Sequence, residues 1–169
     1  PRRNFQNHTP PRTATRAKHE MKNFIKQFSI FEILLTITIL AIHINAAFAD
    51  AYTFPNHWFK RDDAYYYFKV AQNISEGYGS SFDKINLTNG YHPLWMLICI
   101  PIFALARFDV ILPLRVLLVV IALMQAMTAV LIYRIIKKYL SHAVAILAAT
   151  FWSFNFYIHA TVYQMGLET

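Results

Sequence analysis

The run SIFEILLTITILAIHINAAF, from Ser29 to Phe48, carries Glu32 as its only charge. At about 1.5 Å of rise per residue, a helix of this length spans the ~30 Å hydrocarbon core of a bilayer. Two more apolar runs follow, Val116 to Tyr133 without a charge and Ala143 to Tyr163 (AVAILAATFWSFNFYIHATVY). Lipid offers no partner to a backbone N–H or C=O, so segments of this kind are confined to helices that satisfy their own backbone. Hydrophobic residues make up 56% of the 169-residue chain and charged residues only 15%, too apolar for an ordinary soluble domain. The expected fold class is an all-α integral membrane protein. It has three transmembrane helices and an external loop with juxtamembrane helices.

The formal net charge of +7 is concentrated at one end. Arg2, Arg3, Arg12, Arg16, Lys18, Lys22 and Lys26 face Glu20 alone, and the apolar run begins directly afterwards. Such an excess holds a segment on the cytoplasmic side. Nucleic-acid binding is the weaker reading of the same charge, because the tail has no interleaved aromatics and no folded reading surface, so nucleic acid is not expected among the partners. The basic tail, apolar centre and AAFADA around Ala49 also resemble a signal peptide with its cleavage site, but the run is long for one and further spans follow. Cys99, the single cysteine, forms no intramolecular disulfide.

Pro93 to Ala106 (PLWMLICIPIFALA) is apolar but short and interrupted by Pro101, the pattern of an interfacial segment. Were it to span, Arg134, Lys137 and Lys138 would face outward; lying in the outer interface, it leaves them on the side of the basic tail. The resulting plan is a disordered cytoplasmic tail over 1–28, a first transmembrane helix over 29–48 and an external loop over 49–111. A second transmembrane helix over 112–133, a cytoplasmic loop over 134–142 and a third transmembrane helix over 143–163 follow. Residues 164–169 begin a second external loop.

Within the first loop, the spacing of Ala64, Tyr65, Phe68, Ala71 and Ile74 predicts a helix over 62–75, stopped by Gly77 and Gly79. Its first two residues, Asp62 and Asp63, stand before Tyr65, Tyr66, Tyr67 and Phe68. A carboxylate at a helix start is favoured by the dipole and by capping of free N–H groups, and this is one reading of the pair. Tyr52, Phe54, Trp58, Tyr91 and Trp95 join the tyrosines in an aromatic set suited to a membrane–water interface. Asn73-Ile-Ser75 and Asn86-Leu-Thr88 match the short glycosylation sequon.

The whole stretch DDAYYYFKVAQNISEGYGSSFDKINLTNGYHPLW resembles the first external loop of the GT-C superfamily of membrane glycosyltransferases. The matching elements are the acidic pair followed by Ala and aromatics, a helix closing in EGYG, a TNGYHPLW segment, and an acidic residue in GLET after a later span. The likeness covers about Arg61 to Thr169 and is closest to the branch of protein O-mannosyltransferases and lipid A aminoarabinose transferases. It implies a polyprenyl-phosphate-linked sugar as donor, membrane lipids around the site, and a protein, lipid or glycan acceptor. The location it implies is the external, periplasmic face of a bacterial inner (plasma) membrane.

By the resemblance, the catalytic residues are Asp62, Asp63 and Glu168, with Asp63 standing where relatives often carry Glu. Some relatives hold a divalent metal ion with such acids, which makes Asp63 and Glu168 the candidate ligands here. His92, Lys69 and Tyr66 are the candidate substrate-binding residues. A sugar hydroxyl is too weakly acidic to attack an anomeric carbon unaided, so a carboxylate that takes its proton supplies general-base catalysis, the role expected of Asp62. Asp63 then either tunes Asp62 by like-charge repulsion or holds the metal. The departing phosphate needs a cation or oriented donors, for which Lys60, Arg61, Lys69 and Arg107 are available. His57 is a further possible ligand, and His43 and His159 lie within spans where a polar ring should face protein.

Relatives of this type run to several hundred residues with many spans. The chain is therefore expected to be the N-terminal part of a longer enzyme, with Met21 as its natural start and no activity by itself. The rival from another class is a small non-enzymatic membrane assembly or transport subunit, whose loop helix docks a partner. A membrane-anchored secreted binding module is the third choice and requires cleavage near Ala49.

Overall fold

The computed structural model describes residues 28–50, 52, 58–60, 62–106 and 108–165, with side chains to 162. The basic tail, Arg61, His57, Arg107 and Glu168 lie outside the described residues. Six helices occur among those described: α1 (Ile30–Ala47), α2 (Asp62–Ser75), α3 (Pro93–Leu105), α4 (Leu112–Tyr139), α5 (His142–Phe154) and α6 (Phe156–Met165). Outside them the described backbone forms one isolated antiparallel bridge, Ser81 with Leu87, and no strand.

By its contacts the chain divides into residues 1–34 and 35–169. In the first unit, a reciprocal capping box opens α1. The Ser29 backbone N–H donates to Glu32 Oε2 at 2.6 Å, and the Glu32 N–H donates to Ser29 Oγ at 3.3 Å. Glu32 therefore has a local task at the helix start, which relieves the oddity of a carboxylate in an apolar run.

In the second unit, α4 carries the packing. Ala122, Ala126 and Ala129 on α4 and Ala145 and Ala149 on α5 are buried, and the two helices pack on each other. Small residues let helix backbones approach closely, which is how helices associate in lipid, where burial from water supplies no drive. On the opposite side of α4, Leu123, Met127, Leu131 and Ile135 recur every four residues, each at least half exposed. An exposed leucine stripe is costly in water and neutral in lipid.

Two helices, Ile30–Ala47 and Leu112–Tyr139, are long and apolar enough to cross a membrane. The chain is accordingly a membrane protein. Arg115 Nη2 donates to the Ala49 carbonyl at 3.2 Å, which sets the exit of α1 beside the entry of α4. The second of these helices runs beyond the expected end at 133. Arg134, Lys137 and Lys138 continue it to Tyr139, because they are good helix formers and cations suit a helix C-terminus. Leu140 and Ser141 then form the link, and Ser141 Oγ caps α5 by accepting from the Val144 N–H at 3.3 Å.

The third apolar run is not one straight helix. α5 and α6 are bent by 48° at Asn155, so the pair is either a broken span or a re-entrant turn. The residue itself explains the break: Asn155 is extended (φ −74, ψ 107), and its Oδ1 accepts from the N–H groups of Tyr157 at 2.9 Å and Ile158 at 3.3 Å. It acts as an N-cap placed inside an apolar run. The Ser153 carbonyl, near the broken end of α5, lies 2.5 Å from His159 Nε2.

α3 is a 13-residue apolar helix opened by Pro93 and containing Pro101. It lies between α2 and α4. The core of the second unit gathers there: Tyr67, Phe68 and Ala71 from α2, Trp95, Met96 and Cys99 from α3, and Leu114, Leu117 and Leu118 from α4.

Candidate functional site

α2 occupies the range its periodicity predicts. Its buried stripe is Ala64, Tyr67, Phe68 and Ala71, spaced three and four apart. Here Tyr67, not Tyr65, faces the core, and Ile74 is half-buried. The three consecutive tyrosines consequently point to three different tasks.

Tyr67 is buried, and its hydroxyl accepts the His92 backbone N–H at 3.0 Å, so it fixes the start of α3. Tyr66 reaches across the intervening loop. Its hydroxyl is hydrogen-bonded to Thr88 Oγ1, and its ring stacks on Phe82 with centroids 5.4 Å apart and planes 15° from parallel. Tyr65 is 40% exposed and lines a surface groove, where partial burial pushes its phenol above the ordinary value.

The loop from 76 to 92 folds back onto α2 because several of its polar groups are answered there. Asn73, fully buried, donates through Nδ2 to the carbonyls of Ser81 and Phe82, both at 2.9 Å. Gly77 and Gly79 adopt φ of +90° and +76°, which a side chain disfavours, and they turn the chain out of the helix. Ser80 meets the Tyr91 hydroxyl at 2.7 Å. Asp83 Oδ1 accepts the N–H groups of Asn86 and Ile85, and with the Asn86 side-chain amide these bonds hold its carboxyl down at about 2. Glu76 is likewise held below the usual carboxylate range, first by the Gln72 amide and then by Lys84, whose ammonium lies 3.2 Å away. The EGYG and TNGYHPLW segments are thus two ends of one hydrogen-bonded loop.

The groove beside α2 has a volume of about 740 Å³. Asp62, Asp63, Tyr65, Tyr66, Lys69 and Gln72 line one side, and Phe68, Phe82, Phe103, Val110 and Leu114 supply its apolar walls. Four of the sequence-predicted residues, Asp62, Asp63, Tyr66 and Lys69, therefore meet at one cavity. Both carboxylates are exposed in the first turn of α2, and Asp62 Oδ1 accepts the Asp63 N–H at 3.1 Å. Lys69 Nζ donates to Gln72 Oε1 at 3.3 Å, which holds the ammonium along the groove nearly two turns beyond the acids.

His92 is placed differently. It is exposed at the entry to α3 with its ring edge against Tyr67, centroids 6.2 Å apart, and is not among the residues lining the groove. Among the described residues no group of three or more His, Cys, Asp or Glu side chains is placed to share a metal ion. The metal expectation for Asp63 rests on Glu168, outside those residues. Of the two sequons, Asn73 is wholly buried and has both amide hydrogens committed, whereas Asn86 is exposed. Phe82, Phe103, Val110 and Leu114 were not legible as groove residues, since nothing local marks an apolar side chain as a cavity wall.

No protein-family model, curated protein or solved structure matches the chain.

Proposed function

We propose that the chain is the N-terminal part of a GT-C-type membrane glycosyltransferase that moves a sugar from a polyprenyl-phosphate donor to an acceptor hydroxyl at the outer face of a bacterial inner membrane. The observation that carries this reading is the groove that gathers Asp62, Asp63, Tyr66 and Lys69 against the apolar walls of Phe103, Val110 and Leu114. Carboxylates beside an apolar wall suit a substrate whose reacting sugar is polar and whose carrier is a lipid.

In this reading Asp62 accepts the acceptor's hydroxyl proton as its oxygen forms a bond to the anomeric carbon. The bond from that carbon to the phosphate oxygen breaks, and the electron pair leaves with the lipid phosphate. The Lys69 ammonium offsets the charge that develops on the phosphate. Tyr66, held by Thr88 and Phe82, shapes the floor on which the sugar sits. Asp63 and Glu168 assist, either by tuning Asp62 or as ligands of a divalent ion, and no step above passes through that ion. The external placement of the groove and a third span made of α5 and α6 belong to the same proposal.

The test is Asp62→Asn in the full-length enzyme. Turnover should fall on the order of 10² to 10⁴-fold while donor binding and folding persist. Transfer within about threefold of the parent would remove the general base from Asp62, since an effect that small is far below the general-base range.

One observation favours a second reading, a non-enzymatic assembly or transport subunit: the hydrogen bond from the Asp63 N–H to Asp62 Oδ1 gives Asp62 a purely local role at the start of α2. Asn would serve that role nearly as well as Asp. The same variant therefore separates the two.

A further inference from the structure

A cavity of about 440 Å³ is walled by the second half of α1, by the chain that leads to α2 and by the residues on either side of the bend between α5 and α6. Lys60, Trp58, His43 and His159 are on its lining, and Ile39 and Ile42 continue it along α1 toward the middle of that helix. The rings of His43 and His159 lie 5.2 Å apart between centroids, with their planes tilted by 47°. Lys60 is exposed and has no ion pair among the described residues. No carboxylate among those residues lines the cavity, and it shares no lining residue with the groove at Asp62.

His43 stands within a helix long enough to cross the bilayer, where an ionisable side chain faces protein or a polar cavity. The sign of the lining then selects the ligand. A cation entering here would meet the Lys60 ammonium with no carboxylate to offset it, whereas an anion is attracted to it. Histidine and tryptophan add N–H donors and no negative charge. The apolar part separates a free anion from a lipid: Ile42 is 52% exposed, and Phe156, also on the lining, is 81% exposed. Such surface is costly in water and is covered by hydrocarbon without cost. The volume falls within the roughly 300–1,000 Å³ of small-ligand sites.

We propose that this cavity holds the headgroup of an acidic glycerophospholipid from the surrounding bilayer, with the phosphate against Lys60 and the start of one acyl chain along Ile39 and Ile42. The lipid fills the space between α1 and the bend, and so joins helices that pack on each other less closely than α4 packs on α5. It is a bound partner and not the sugar donor, and the inference does not rest on sugar transfer.

The full-length protein is placed in phosphatidylcholine nanodiscs with a trace of phosphatidylglycerol carrying a photoreactive diazirine early in one acyl chain, or of phosphatidylcholine tagged in the same way. After irradiation, peptide mapping reads the adducts at positions 39–43 and 154–160. The acidic lipid should label them about fivefold more than the zwitterionic one, the preference that one nearby lysine supplies. Lys60→Gln should bring the two lipids within about twofold, and Lys60→Arg should keep the preference. Lys138→Gln, which removes an equal charge elsewhere, should leave it unchanged. Equal labelling by the two lipids in the unaltered protein would overturn the proposal, as would a preference that survives Lys60→Gln. Labelling erased by unlabelled polyprenyl phosphate, but not by an equal concentration of unlabelled phosphatidylglycerol, would give the cavity to the donor's carrier and overturn it equally. The comparison of lipids on the unaltered protein decides the first point whatever the variants do, and its failure leaves the Asp62→Asn test as it stands.

Discussion

At the scale of single residues, consecutive side chains of α2 have unrelated duties, and the differences are measurable. Asn73 ties the loop to the helix through two hydrogen bonds from one buried amide. Asn73→Ala removes both, leaves the Ser81 and Phe82 carbonyls without that donor, and should cost about 1–3 kcal/mol. Faster hydrogen exchange across residues 80–90, with α4 and α5 unchanged, would register it. Asp83 supplies a pH-dependent term. Its folded value of about 2 lies below the ordinary 3.8, so its contribution is complete above the ordinary value and disappears as pH falls through about 2. Backbone amide shifts of Ile85 and Asn86 should therefore move together in that window, and Asp83→Asn should abolish the shared transition. The stabilisation is local, because the carboxylate is exposed and screened by solvent.

At the scale of elements, the bend at Asn155 is the feature that most departs from a simple apolar run. A helix of twenty-odd apolar residues is the cheaper structure in lipid unless a side chain takes over the freed backbone groups. Asn155 does this for two N–H groups. Asn155→Ala removes that cap and should destabilise the α5–α6 pair by about 0.5–2 kcal/mol. Spin labels at 147 and 161 report the outcome as a longer mean separation, because the 48° bend relaxes toward a continuous helix. An unchanged distance distribution would mean that packing on α4, and not the cap, sets the angle. The link between α4 and α5 behaves in the opposite way. Leu140 and Ser141 are all that remains of an expected nine-residue loop, since the basic end of α4 stays helical.

At the scale of the whole molecule, two matters remain joined: which surface faces lipid and which end faces the cytoplasm. The exposed stripe of Leu123, Met127, Leu131 and Ile135 answers the first by its chemistry. For the second, the proposal that the loop after α1 is external makes a direct forecast. With Cys99 replaced, a single cysteine at position 80 should label from outside and one at position 138 only from the cytoplasm. External labelling at 138 would require α3 to cross the bilayer. Trp95, 1% exposed in the core where α2, α3 and α4 meet, is the joint of this arrangement. Trp95→Ala should cost about 3–5 kcal/mol and loosen all three helices together, as read by denaturant titration of the purified chain.

Much of this plan was legible in the sequence because the signals are local. Apolar length marked α1 and α4, and three- and four-residue spacing marked α2 from Asp62 to Ser75. The two glycines marked its end, and Pro93 marked the start of α3. Two further local signals were present but unread: the Ser29-x-x-Glu32 box and an asparagine within SFNFY, both ordinary helix starts. Asp62, Asp63, Tyr66 and Lys69 were candidates only through the resemblance, and one helix carries them all. Only the tertiary structure decided that Tyr67 and not Tyr65 turns inward, that His92 stands outside the groove, and that Phe103 and Leu114 wall it. The same holds for His43 and His159, which line a common cavity from different helices. Periodicity states which side chains share a face of one helix, but which neighbour that face meets depends on contacts between residues far apart in the chain, and no local pattern encodes those.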